Sequence, residues 1–304
     1  MGVMIISSTE KPATENLDDD ENTNLTVFDS GLYIVATPIG NLADLSRRAI
    51  ALLSAADIVA VEDSRITGKL LHHLGLKKKM RRYNDHSSEG DRDALVDAAR
   101  SQVVVLVSDA GTPLISDPGY KLVRSAREAG VYVSTAPGPS AAIAALSICG
   151  LPTDRFLFAG FLPSKAKARN EAIAGYAGIN ATLIFYESGP RLAAMLAAAA
   201  SGFGTREGAV ARELTKKFEE VITGTLSELA ARYAAAEAPK GEIVVIIGPP
   251  EDIAVYETGD FDTALYEALL RLPTAKAAAE IAKRFGLERS DVYVRAAAMK
   301  SGAK

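Results

Sequence analysis

Val103 to Tyr120 reads VVVLVSDAGTPLISDPGY. An unbroken apolar run, Val103 to Val107, predicts a strand buried on both faces. The run breaks into small residues at Ser108-Asp109-Ala110-Gly111-Thr112-Pro113, and breaks again at Asp117-Pro118-Gly119. Two glycines and two prolines between Gly111 and Gly119 commit the backbone to a narrow path. Open α/β sheets bind ligands at the carboxyl ends of their strands, where such a loop would lie. An ordinary strand–turn–helix connection has the same composition, so this stretch alone leaves both readings open.

The same grammar repeats on either side. Upstream, Leu32 to Ala36 reads as a strand, Thr37 to Asn41 as a tight loop and Asp44 to Ser54 as an amphipathic helix. Asp57 to Val61 is a second strand, ending in Glu62-Asp63. A helix carrying Leu70, Leu71 and Leu74 follows, then a basic stretch, Lys77 to Tyr83, then a helix from Asp91 to Arg100. Downstream come a helix from Tyr120 to Ala129, a strand from Val131 to Ser134, and the turn Pro137 to Ser140 into a helix. Alternation of strand and helix predicts a mostly parallel sheet covered on both faces.

A second α/β region begins near Leu151. Its predicted strands are Arg155 to Gly160, Thr182 to Tyr186, Gly208 to Arg212, Glu219 to Gly224 and Ile243 to Ile247. Leu162 to Arg169 reads as a basic, proline-containing loop. From about Phe261 the periodicity is purely helical, and TAKAAAEIAKRFGLERSDVYVRAAAMK has helix-turn-helix spacing, with Gly286 in the turn. The predicted organisation is a disordered acidic tail over 1–30, α/β domains over 31–150 and 151–250 with mostly parallel or mixed sheets, and a basic helical segment over 260–304.

Bulk properties narrow the class. A chain of 304 residues that is 48% hydrophobic and 24% charged is globular and long enough for two domains. Its single cysteine, Cys149, forms no internal disulfide and suits a reducing cytoplasm. No apolar run is long enough to span a membrane, and the start, MGVMIISSTEKP, lacks the basic region of a signal peptide. Net charge is −4, but eight Lys or Arg against three acids follow from Arg271 onward, so the remainder carries −9. A basic helical tail on an acidic body suggests a polyanionic partner; a solvated helical cap is the other reading.

The loops exclude several chemistries. Glu62 lies 22 residues beyond Gly40, as an acid does in a dinucleotide-binding unit. But Thr37-Pro38-Ile39-Gly40-Asn41 has one glycine, and Pro38 removes an amide that a pyrophosphate would use. Gly-Lys-Ser/Thr is missing from the Ser108 loop, so it is no triphosphate cradle. No metal is expected, because His72 and His73 do not share a helix face and no cysteine cluster exists. A small-residue loop with one acid, Asp109, suits a neutral or cationic nucleoside.

Five segments then identify a resemblance: LYIVATPIGNLAD (Leu32 to Asp44), AVEDSRITG (Ala60 to Gly68), LVSDAGTPLISDPGY (Leu106 to Tyr120), FYESGPR (Phe185 to Arg191) and ARELTKKFEE (Ala211 to Glu220). APGPSAA (Ala136 to Ala142) and KGEIVVIIG (Lys240 to Gly248) add to it. The chain from Gly31 onward resembles the tetrapyrrole-methylase-like S-adenosylmethionine-dependent methyltransferases. Within them it is most similar to the branch that methylates a cytidine ribose in bacterial small-subunit ribosomal RNA. The first loop departs from the G-x-G-P-G-D type of the tetrapyrrole enzymes, which favours an RNA substrate. The resemblance implies S-adenosylmethionine in a cleft between two α/β domains, a ribose 2′-hydroxyl as methyl acceptor, and a homodimer.

Carried over by motif, Ile39, Asp109, Ala110, Gly111, Thr112, Ile115, Ser140, Ala141, Tyr186, Leu214 and Gly241 are the expected cofactor contacts. A hydroxyl nucleophile benefits from a general base. Strand-end candidates are Glu62 and Lys216 with Glu213, the lysine either a base with its pKa depressed beside a carboxylate or a cation that binds a phosphate or the cofactor carboxylate. Expected RNA contacts are Arg65; Lys77, Lys78, Lys79, Arg81 and Arg82; Lys165, Lys167 and Arg169; and Lys283, Arg284, Arg289 and Arg295 in the tail.

Overall fold

The computed structural model describes residues 28–250, 258–285, 287 and 289–301. The expected acidic tail and the turn glycine Gly286 lie outside the described residues, the former but for its last few positions. The chain divides into two compact units, Met1–Pro139 and Ser140–Lys304.

The first unit runs β1 (Gly31–Val35), α1 (Arg47–Ala55), β2 (Ile58–Val61), α2 (Ser64–His73), β3 (Lys79–Arg82), α3 (Glu89–Ala99), β4 (Val103–Leu106), α4 (Tyr120–Glu128) and β5 (Val133–Ala136). All strands are parallel, in the order β3-β2-β4-β1-β5. Alternate residues of each central strand enter opposite cores. Tyr33, Val35, Val59, Val61, Val103 and Val105 pack with Leu52 and Leu53 of α1 and Leu71 of α2. Leu32, Ile34, Ile58, Ala60, Val104 and Leu106 pack with Leu95 of α3 and Leu122 of α4. This two-sided burial is why the strands read as continuous apolar runs.

The basic stretch expected as a connection contains a strand. Lys79-Met80-Arg81-Arg82 is β3, exposed along its whole length at the sheet edge. An edge strand of cations resists pairing with a second chain. Helix starts are locally encoded: Ser46 accepts from the Ala49 amide, and Ser88 and Asp91 form a capping box.

The second unit runs α5 (Ala141–Ile148), β6 (Phe156–Phe161), α6 (Ala166–Tyr176), β7 (Thr182–Ser188), α7 (Gly189–Phe203), β8 (Glu207–Arg212), β9 (Glu220–Thr225), α8 (Leu226–Ala235) and β10 (Glu242–Ile247). Its sheet is mixed, in the order β6-β7-β10-β8-β9, and only β6 and β7 are parallel. Leu183, Phe185, Ile243, Val245 and Ile247 form one core with Leu192, Met195 and Leu196 of α7 and Leu226 and Leu229 of α8. α5 packs against β7 and β10. That contact places α5 with the second unit and sets the division at Pro139, rather than near residue 150. The expected Leu162 to Arg169 loop is also shorter than read, because α6 begins at Ala166.

Three helices follow, α9 (Thr258–Arg271), α10 (Thr274–Phe285) and α11 (Arg289–Ser301). They share a small core of Leu265, Ala268, Ala277, Ala278, Ile281, Val292 and Ala296. Alanine at most of these positions lets the helix axes approach closely.

Candidate functional site

The chain leaves β1 for β2 across β4 on the α1 face and leaves β4 for β5 across β1 on the α4 face, so the loops after these neighbouring strands turn to opposite faces of the sheet. That divergence defines the switch point of a parallel sheet. The two loops are tied by a bridge: the Thr37 amide donates to Gly111 O (2.8 Å) and the Gly111 amide to Thr37 O (3.0 Å). Thr37 Oγ1 also donates to Ser108 O (3.2 Å), and Thr112 Oγ1 to Pro139 O (2.9 Å). Gly111 has φ +81, and a Cβ there would meet Ile39 Cγ2 at 3.4 Å. A Cβ on Gly138 would meet Ala36 Cβ at 3.0 Å. Ile39, Asp109, Ala110, Gly111 and Thr112 are thus brought together on one backbone-lined surface. Ile115 is exposed nearby in the sequence, between Leu114 and Ser116, which both hold positive φ.

The surface is strongly acidic. Asp109 Oδ1 accepts from the Asp63 amide (3.1 Å), joining the β2 and β4 loops. Burial raises the Asp109 pKa, and the Asp63 charge adds to it, against the Asp63 amide and the Arg65 charge. Glu62 is raised by burial first, then by the charges of Asp109, Asp85 and Asp63, while the Asp109 amide pulls the other way. Asp117, which sequence reading passed over, is pushed up to about 6 by burial, with the Glu62, Asp109 and Asp85 charges adding and a Ser108 hydrogen bond opposing. Among the described residues no three His, Cys, Asp or Glu are placed to hold a metal ion. A negative field with small-residue backbone fits a cationic, nucleoside-bearing cofactor such as S-adenosylmethionine.

The Asp117 shift has a stability consequence. Its folded pKa of about 6 stands above the ordinary 3.8, so the folded state binds more protons between those values. Stability is therefore lost as pH rises through that window. Asp117→Asn should gain on the order of 1 kcal/mol near pH 7.5, after allowance for partial exposure, and little near pH 4. Thermal melts at the two pH values check this; equal gains at both would refute it.

In the second unit, Lys216 Nζ lies 2.9 Å from Glu213 Oε1 and 3.1 Å from Glu242 Oε2. Burial pulls the ammonium down, but the hydrogen bonds and charges of the two carboxylates outweigh it and the Lys216 pKa is raised. Of the two readings of Lys216 the depressed base is overturned: the lysine is a held cation, because the second carboxylate arrives from β10. Glu213 is correspondingly lowered, chiefly by the Lys216 hydrogen bond. Glu213 and Thr215 both have positive φ, flanking buried Leu214. Gly241, at φ +97, leaves the space that the Glu213 carboxylate fills: a Cβ there would sit 2.1 Å from Oε1. Gly241→Ala should cost about 1–3 kcal/mol. The share of that loss due to the clash, though not the share due to the positive φ, should return in the Gly241→Ala/Glu213→Ala double variant, and additive losses would contradict the contact. Tyr186 stands on β7 with its ring edge-on to Phe158 (4.9 Å) and Phe161 (5.7 Å). Ser140 and Ala141 sit at the start of α5.

The basic candidates separate into free and committed groups. Arg65 is 87% exposed yet clamped on Asp63, with Nε 3.0 Å from Oδ1. The Lys78 ammonium is spent on the carbonyls of Ser54 and Ala56. Lys77, Lys79, Arg81 and Arg82 stand at the exposed edge beside it. Lys165 caps α6, Lys167 is 3.9 Å from Glu171, and Arg169 is only half-exposed. Arg295 pairs with Asp262, whereas Lys283, Arg284 and Arg289 are exposed on α10 and α11. Arg191 is structural, bridging Glu187 (3.1 Å) and Leu162 O.

Residues 31–230 match the family model of the Tetrapyrrole (Corrin/Porphyrin) Methylases. The chain belongs to that family. Residues 257–300 match the model of the RsmI C-terminal HTH domain. The chain is 54% identical over 271 residues to the ribosomal RNA small subunit methyltransferase I of Erythrobacter litoralis, covering 89% of this chain and 96% of the relative. The same-named proteins of Mesorhizobium japonicum and Escherichia coli O157:H7 are 48% and 45% identical over 270 and 267 residues, covering 88% and 86% of this chain and 92% and 93% of theirs. Among solved structures, a diphthine synthase (TM-score 0.56, 18% identity, 71% of this chain and 89% of that one) shares the fold. So does the uroporphyrin-III-C-methyltransferase of Thermus thermophilus (TM-score 0.52, 21% identity, 72% and 94%). As a tetrapyrrole-methylase-family enzyme it is an S-adenosylmethionine-dependent methyltransferase. No helix among the described residues is long and apolar enough to cross a membrane.

Proposed function

We propose that this methyltransferase acts on small-subunit ribosomal RNA, placing a methyl group on the ribose 2′-hydroxyl of a cytidine, in the cytoplasm and as a homodimer. The observation that carries the reading is the match, over nearly their whole length, to relatives named for ribosomal RNA methylation, helical C-terminal unit included. The charge distribution supports it: acidic residues crowd the carboxyl ends of the first sheet, while exposed cations line β3, α10 and α11.

S-adenosylmethionine supplies a methyl on cationic sulfur, with a neutral thioether as the leaving group. Asp109 has one oxygen held by the Asp63 amide and the other available for an ammonium or ribose hydroxyl. The Thr37–Gly111 bridge fixes the loop surface without spending the Ala110 and Thr112 amides on that pairing. Glu62, raised toward the working pH, accepts the proton that the 2′-hydroxyl gives up. Lys216, fixed in its charged form, neutralises Glu213 and Glu242 and serves as a cation rather than a base.

Tritiated S-adenosylmethionine with under-methylated small subunits tests the reading. Label in a 2′-O-methylcytidine after nuclease digestion is the expected result, with RNA affinity falling steeply as salt rises. Label only in a porphyrinoid, or cofactor binding without any transfer, would overturn it.

A further inference from the structure

A cavity of ≈ 260 Å³ opens on the first unit between the loops after β1 and β4 and helix α2. Thr37, Pro38 and Gly40 form one wall, Ser108 and Asp109 another, and Ile66, Lys69, Leu70 and His73 of α2 the third. Gly111, Thr112 and Pro139 do not line it. It therefore lies beside the cofactor-loop surface and shares Asp109 with it. We propose that this cavity seats the base of the target nucleotide, turned out of its RNA, and that Lys69 and His73 recognise its polar edge.

The inference rests on the RNA reading above and deepens it. The reacting ribose must stand against the cofactor loops, so its base lies within one nucleoside of them. This cavity meets those loops within the same unit. Its volume falls below that of sites for drug-sized ligands, which suits a single ring and not a tetrapyrrole. Leu42 and Ile66 are 48% and 43% exposed at its rim, large apolar groups that nothing in the described structure covers. Apolar faces of this kind stack against a flipped base. Lys69 and His73 are four residues apart on α2 and so share one face. Both can donate to the ring nitrogen and carbonyl oxygen of a cytosine.

The opposite face of α2 supplies the charge complement. Gly68, Leu71 and His72 border a second hollow with Lys77 and Met80, and the exposed cations Lys79, Arg81 and Arg82 of β3 continue from there. Phosphates are repelled by Glu62, Asp63, Asp85 and Asp109 and held at this edge. Only the uncharged base then gains by crossing α2 into the cavity.

Three variants of the full chain test the proposal: Lys69→Ala, His73→Ala and Ile66→Trp, the last filling the rim. Each replaces an exposed residue, and matching thermal melts establish that each is folded. Calorimetry with S-adenosylhomocysteine reads the cofactor, and single-turnover transfer to under-methylated subunits reads the substrate. Cofactor affinity should stay within about twofold, while transfer should fall about tenfold in each variant. Subunits carrying uridine at the target position add a readout that a structural role would not move. Wild type should prefer cytidine, and Lys69→Ala and His73→Ala should lose part of that preference. Unchanged transfer, or parallel loss of cofactor affinity, overturns the cavity assignment while leaving the enzyme's reading intact. No transfer by wild type to any small-subunit RNA overturns both.

Discussion

Replacing Gly189 by alanine is expected to cost about 3 kcal/mol or more of folding stability. Gly189 is the first residue of α7 and is buried. A Cβ built there would lie 1.7 Å from the carbonyl oxygen of Pro239 and 2.9 Å from its carbon. Both are backbone atoms, so no side chain can rotate away. Relief requires the start of α7 and the approach to β10 to separate, and that separation opens the core around Phe185, Leu192 and Ile243. The denaturant midpoint should drop with its slope unchanged. Gly175 is the control: it lies inside α6 with open space around it, and alanine there should gain roughly 0.5–1 kcal/mol. A Gly189→Ala protein with the parent midpoint would show that the two backbones are not in contact.

Glu62→Gln should lower kcat about 10²- to 10⁴-fold with little change in cofactor affinity. A glutamine keeps the shape and loses the proton acceptor. The pH dependence makes the assignment specific. Glu62 must be ionised to accept a proton, so the rate should rise with pH through its raised pKa. Asp109→Asn removes a charge that helps to raise it, so the rising limb should move to lower pH. Asp109→Asn is expected to weaken cofactor binding as well, so the limb is measured at saturating S-adenosylmethionine. A Glu62→Gln enzyme with more than about a tenth of the parent rate would remove Glu62 from the chemistry.

The parallel sheet of the first unit was legible because Val103 to Val107 and Ile58 to Val61 are buried on both sides, which leaves an unmistakable apolar run. β3 was not, because an exposed edge strand of Lys79-Met80-Arg81-Arg82 has no buried face to create alternation. The start of α6 was hidden by Pro163, two residues ahead of its Lys165 cap. Motifs singled out Asp109 to Thr112, since small residues in a loop are a local property. Partnerships that cross the sheet are not local. The second carboxylate on Lys216 is Glu242, on β10, and it reverses the sign of the expected pKa shift. Asp117 passed unremarked for the same reason: its shift comes from burial and from carboxylates on three other loops or strand ends.

The order β6-β7-β10-β8-β9 places the last strand of the second sheet in its middle, hydrogen-bonded on both sides. On a ribosome, β7 and β8 emerge well before the strand that joins them. At about 5–20 residues per second, the span from Arg212 to Ile247 leaves two open inner edges for roughly 2–7 s. The nascent chain is then vulnerable to strand capture by its neighbours. A message truncated between Thr225 and Glu242 would yield two half-sheets with no means of closing, and so an aggregating product rather than a smaller enzyme.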